Sequence, residues 1–178
     1  MNTPETTFGA LEKARALLSN PTPLHQDCGH LCGASCCRGE GAENRGGMLL
    51  YPGEETLYVP LPEGFAITRD TSVMPEGRLL TCRGSCFRGD RPLACRLFPL
   101  AVFLEEGGEP TLALDPRAWP VCPLMPSGMD GLSPEFVGAA AEAAQVLAGA
   151  PGTREFLIRQ TAHIRWLHRP LWESGAVS

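Results

Sequence analysis

Eight cysteines are the residues of this 178-residue chain best suited to chemistry. Cys28, Cys32, Cys36 and Cys37 run as Cys-x3-Cys-x3-Cys-Cys, Cys82, Cys86 and Cys95 form a second group, and Cys122 stands apart. A short loop with several thiols can aim them at one metal, and zinc knuckles and iron–sulfur loops space their cysteines accordingly. Gly29, Gly33, Gly39, Gly84 and Gly89 lie among them. Glycine gives such loops the tight or left-handed backbone they need. Cysteines can also serve as small core hydrophobes, but four of these fall between Pro21 and Gly47, the least hydrophobic stretch of the chain.

The adjacent pair Cys36-Cys37 is informative because neighbouring side chains in an extended or irregular segment point apart. Two sites, a polynuclear cluster, or one ligand beside a spare thiol all accommodate it more easily than one mononuclear tetrahedral site. Eight thiolates make two sets of four; four ligands and four other thiols satisfy the count equally. Arg78, Arg83, Arg88, Arg91 and Arg96 surround the second group, and Arg38 follows the first. A metal held by four thiolates carries net negative charge, which guanidinium groups would offset. The same arginines could instead form a solvated basic face or an anion site. His25 and His30 flank Cys28 and could replace a cysteine at a zinc site. His163 and His168, five apart, do not make the i, i+4 pair of a helical zinc site.

Other chemistries leave no trace. No His-Glu-x-x-His, Gly-x-Ser-x-Gly or phosphate-binding glycine loop occurs, and Gly39–Gly47 lacks the Lys-Ser/Thr ending of a P-loop. A thiol oxidoreductase would ordinarily show Cys-x-x-Cys beside a βαβ unit, and neither is present.

Dense Cys-x3-Cys-x3-Cys-Cys, then Cys82 and Cys86, then Arg91-Pro92-Leu93-Ala94-Cys95-Arg96-Leu97-Phe98-Pro99, then Cys122 together resemble the YkgJ-like cysteine-cluster family, described as a zinc- or iron-chelating domain. The resemblance spans Cys28 to Cys122, with both early gaps one residue longer than the common x2 spacing. It implies metal binding through all eight cysteines. A flagellin lysine methylase with a related cysteine domain is thought to carry an iron–sulfur cluster, which turns the expectation toward iron.

The remaining composition narrows the setting. The formal charge of −5, from 15 basic and 20 acidic residues, argues against nucleic-acid binding. No stretch reaches the ~18 apolar residues of a membrane span, and the N-terminus has acidic residues and no apolar run of a secretory signal. A reducing cytoplasm is therefore expected, where clustered cysteines more often hold metal or do redox chemistry than form disulfides. The combined expectation is a cytoplasmic protein holding thiolate-ligated iron, with a 4Fe-4S cluster favoured. A redox or modification-support role and an unidentified protein or redox partner go with it. The alternative is a non-catalytic structural zinc module for partner interaction.

The elements that must position these thiols read as an α+β domain. Thr3-Pro4-Glu5 reads as the cap of a helix over 4–19, whose apolar stripe is Phe8, Leu11, Ala14 and Leu18. The stretch Pro21–Gly47 has almost no apolar periodicity, so something other than a core must order it. Short strands are expected at Met48–Tyr51, Phe65–Thr68 and Arg78–Cys82, a helical turn at Pro52–Glu55, and a short helix carrying Cys95 after Asp90-Arg91-Pro92. Leu100–Leu104 and Thr111–Leu114 flank a Gly-containing turn and read as a hairpin. A Pro-rich connector, 116–126, holds Cys122. Ser133-Pro134 opens an Ala-rich helix to Ala148, Gly149–Gly152 stops it, and Thr153 caps a last helix over 154–168 with Phe156, Ile164 and Leu167 inward. The whole is read as a single domain, 1–178. Its small, irregular, metal-stabilised core, 20–126, is flanked by an N-terminal helix, 1–19, and two C-terminal helices, 132–169.

Overall fold

The computed structural model describes residues 6–25, 28–37, 46–84 and 86–169. It is α+β: an N-terminal helix, small antiparallel sheets and two C-terminal helices. Helix α1 spans Thr7–Leu17 and is capped by Thr6, whose hydroxyl accepts from the Gly9 N–H at 3.1 Å. Thr3, the expected cap, lies outside the described residues. Helices α4 (Pro134–Gly149) and α5 (Pro151–Leu167) complete a helical layer, with α1 packed chiefly on α4.

Several details differ from the pattern read in the sequence, among them the first strand, which covers Gly46–Leu49 rather than Met48–Tyr51. Phe8 is 46% exposed, while Ala10, Leu11, Ala14 and Leu18 are buried. At 3.6 residues per turn, Phe8 sits roughly 100° from the centre of that buried arc. The last helix begins at Pro151 rather than after Thr153, and Thr153 is not its cap. Buried in the first turn, the Thr153 hydroxyl donates back to the Leu147 and Ala150 carbonyls and so pins the corner between the helices. Phe156 and Ile164 face inward as expected, whereas Leu167, past the last buried turn, is exposed.

Strands β1 (Gly46–Leu49), β2 (Ala66–Arg69) and β3 (Arg78–Cys82) form an antiparallel sheet in the order β1-β3-β2. Its register pairs Gly46 with Cys82 and Met48 with Leu80. Strands β4 (Leu100–Phe103) and β5 (Thr111–Leu114) form the expected hairpin, with Leu100 opposite Leu114. All four residues of β4 are buried, because the hairpin lies against α5 and α4. Between the sheets runs α3, Leu93–Leu97, entered through a 3₁₀ turn at Arg88–Asp90. Leu93, Leu97, Leu100, Val102 and Leu104 share one core with Leu11, Leu18, Phe136, Leu147 and Phe156. The centre therefore packs directly onto the helices through residues 93–104, and those residues have apolar burial of their own to order them. No helix among the described residues is long and apolar enough to cross a membrane.

Candidate metal centre

The eight cysteines reach the site from four directions. Cys28 and Cys32 bracket α2, a single turn over Gly29–Cys32, and Cys36 and Cys37 end a 3₁₀ turn at Ser35–Cys37. The reversal between these turns is made by Gly33 and Ala34, both left-handed at φ 59° and 58°. That conformation costs an L-residue such as Ala34 about 1–2 kcal/mol, and it folds the two thiol pairs back toward each other. Cys82 ends β3, Cys86 lies in the loop beyond it, Cys95 is in α3, and the Cys122 N–H donates to the Ala118 carbonyl at 2.8 Å in the turn after β5.

Pairing of β1 with β3 brings the first group to the second. Gly84 completes the approach: its φ is +84°, and a Cβ there would stand 3.4 Å from the Cys37 carbonyl oxygen. A side chain at this position would be strained by the left-handed backbone while lying in contact with the first cysteine loop.

Two adjoining cavities result. The larger, about 50 Å³, is lined by Cys28, Cys36, Cys37, Cys82, Cys86 and Cys95. The smaller, about 10 Å³, is lined by Cys28, Cys32, Cys36 and Cys122 with Phe98, Val121 and Leu124 among its apolar walls. All eight predicted residues thus touch one cavity or the other. Among the described residues no three Cys, His, Asp or Glu side chains are already grouped as a metal site. The donor set nonetheless suits a thiophilic metal: four to six thiols face a common space, each partly buried and none in a disulfide. At roughly 10–15 Å³ per water-sized sphere, the larger cavity has room for a few atoms and the smaller for about one. A single ion enters either with little displacement, whereas an iron–sulfur core requires the loops to part.

Four of the thiols are held above the usual thiol range. Cys36 is pushed far above the usual thiol range, first by its hydrogen bond with Cys37 (Sγ–Sγ 3.9 Å) and then by burial and the neighbouring Cys37, Cys28 and Cys32. Burial and the nearby Cys37, Cys86 and Cys82 raise Cys95. Burial raises Cys86 and Cys122 as well; at Cys86 a hydrogen bond from Arg91 opposes it. A metal entering here would displace protons, as thiolate coordination does generally.

The arginines divide by role. Arg88, Arg91 and Arg96 line the larger cavity, and Arg91 hydrogen-bonds to the Cys86 thiol. Arg88 donates to the carbonyls of Leu18, Ser19 and Pro21, closing the C-terminal end of α1. Buried Arg96 donates to Arg91 O (2.8 Å), Arg15 O (3.2 Å) and Gly89 O (2.6 Å). Arg78 binds the turn carbonyls of Glu76 and Gly77, Arg83 is exposed, and Arg38 lies outside the described residues. His25 is exposed and lines neither cavity; the side chain of His30 is outside the described set.

A polar hub that sequence reasoning did not single out supports the loop between Cys86 and Cys95. Arg15 donates to Gly89 O (3.1 Å), Arg91 O (3.2 Å) and Glu54 Oε1 (3.1 Å), and the Tyr58 hydroxyl donates to Asp90 O (3.0 Å). Three successive-turn carbonyls are therefore gripped by Arg15, Arg96 and Tyr58. Burial pushes the Glu54 carboxyl up, opposed by the Leu93 and Tyr51 backbone N–H groups and by Arg15. No family model, curated protein or solved structure matches this chain.

Proposed function

We propose that this chain is a thiolate metal-binding protein of the YkgJ-like kind, working in the cytoplasm and holding iron, as iron–sulfur, through its eight cysteines. The observation that carries the reading is the convergence of all eight thiols, from four separate chain segments, on two adjoining cavities. Arginine in the wall of the larger cavity suits an anionic cluster, whose potential is set by net charge and by hydrogen bonds to sulfur. A redox or modification-support role, acting with a protein partner, follows from that cofactor class.

The second reading is a structural zinc module, favoured by the small cavities, which take single ions more readily than polynuclear cores. Anaerobic purification followed by metal and acid-labile sulfide analysis separates the two. Iron with matching sulfide and a brown colour is the expected result. A colourless protein with stoichiometric zinc selects the structural module, and a protein that binds neither metal overturns both.

A further inference from the structure

We propose that the eight cysteines form two separate four-thiol sites, Cys37/Cys82/Cys86/Cys95 and Cys28/Cys32/Cys36/Cys122, which meet at the Cys36–Cys37 peptide bond. This rests on the thiolate-metal reading above and goes beyond it by assigning every ligand.

The assignment comes from the cavities. Of these two cavities, Cys37, Cys82, Cys86 and Cys95 line only the larger, Cys32 and Cys122 only the smaller (and an open cleft of about 390 Å³ beside it), and Cys28 and Cys36 border both. The larger cavity already has four thiols of its own. The smaller needs the two shared ones, and giving it Cys28 and Cys36 makes two complete sets. Local structure agrees: Cys28 and Cys32 lie one helical turn apart, and the Cys32 thiol lies 3.8 Å from the Cys28 carbonyl.

The 3.9 Å between the Cys36 and Cys37 sulfurs does not by itself divide them. Two ligands of one tetrahedral ion at about 2.3 Å would stand about 3.8 Å apart. The division rests instead on Cys37 having no part in the wall of the smaller cavity. The two sites are also unequal in charge. Arg88, Arg91 and Arg96 line the first, whereas the wall of the second, its thiols apart, is apolar, with Leu31, Phe98, Val121 and Leu124. A four-thiolate complex is better compensated beside the arginines, so the first site holds its metal more tightly.

The test titrates the reduced, full-length, metal-free chain with Co²⁺, read by the visible bands of tetrahedral cobalt thiolate. The expected result is two equivalents for the wild type, one each for Cys86→Ser and Cys122→Ser, and none for the double variant. One equivalent that either single substitution abolishes would overturn the division while leaving a thiolate site in place. No cobalt bound by the wild type, with no metal in the purified protein, would instead sink the function proposed above. Should a variant fail to fold, partial chelation of the wild-type cobalt protein followed by cysteine alkylation and mass spectrometry decides the same point. Labelling should appear first at Cys28, Cys32, Cys36 and Cys122 as a group, and later at the other four. Labelling that mixes the groups counts against the proposal.

Discussion

Glu54 caps the helix that carries Cys95: its Oε1 accepts the Leu93 N–H at 2.7 Å, across 39 residues of sequence. The same oxygen accepts from Arg15, and Oε2 accepts the Tyr51 N–H at 3.1 Å. One buried carboxylate thus joins α1, the turn after β1 and the start of α3. Cys95 is held by a polar strut that contains no sulfur.

Glu54→Ala is expected to destabilise the protein by about 3–5 kcal/mol, because it removes the counter-charge of Arg15 and leaves two buried N–H groups without an acceptor. Denaturant unfolding measures the loss, and hydrogen exchange should quicken first at Leu93–Leu97. A variant within 1 kcal/mol of wild type would mean that water replaces the carboxylate.

Ala34→Gly should stabilise the chain by about 0.5–1 kcal/mol. It removes the left-handed cost at φ 58° and returns part of the gain as extra freedom in the unfolded chain. Thermal unfolding of the metal-free protein is the relevant measurement, since metal would mask so small a change.

The Thr161 hydroxyl accepts the buried Leu104 N–H at 2.9 Å, at the point where β4 ends against α5. Thr161→Val keeps the shape and removes the acceptor, and is expected to cost about 1–3 kcal/mol. Thr161→Ser, which keeps the acceptor, should recover most of that loss.

Asp70 provides a pH-dependent contribution away from the thiols. Hydrogen bonds from the Ser72 hydroxyl and backbone N–H hold its carboxyl below the usual carboxylate range, helped by His163. A depressed folded-state value adds stability above the unfolded pKa of about 4, and that stability is lost as pH falls through the folded value. Asp70→Asn should therefore cost a few tenths of a kcal/mol at neutral pH and progressively less as pH falls below about 4. A difference that grows on acidification would contradict this.

Removing metal from the loaded protein should raise hydrogen exchange in residues 28–37 and 82–91. Residues 93–104, α4 and α5 should stay protected, because they share one apolar core. Unfolding of all these segments together would show that metal orders the whole centre.

Much of this architecture was legible. Short runs bounded by turn residues located β3 and the β4–β5 hairpin, and helical spacing and capping residues located α1, α4 and α5. The misplacements at Phe8 and Leu167 arise because periodicity marks a face but not how far the partner surface extends. Cysteine spacing located all eight cavity-lining thiols. The hub escaped notice because Arg15, Glu54, Tyr58 and Arg96 are single polar residues far apart in the chain, and no periodicity links them. The one available sign was Glu54 directly after Pro52-Gly53, where a turn could bury a carboxylate. The arginine density near Cys95 was visible, yet the acceptors of Arg88 and Arg96 proved to be backbone carbonyls, which spacing does not reveal.

The ladder between β1 and β3 bears on affinity through chain entropy. Cys37 and Cys82 are about 45 residues apart, and drawing such a loop together carries a length-dependent cost of about 3 kcal/mol. Pairing of Gly46 with Cys82 and Met48 with Leu80, with Leu80 buried beneath, closes that loop without any ligand. A metal bound by Cys37 and Cys82 is spared the closure, so a substitution that loosens the ladder would weaken binding by up to about a hundredfold while leaving every sulfur in place.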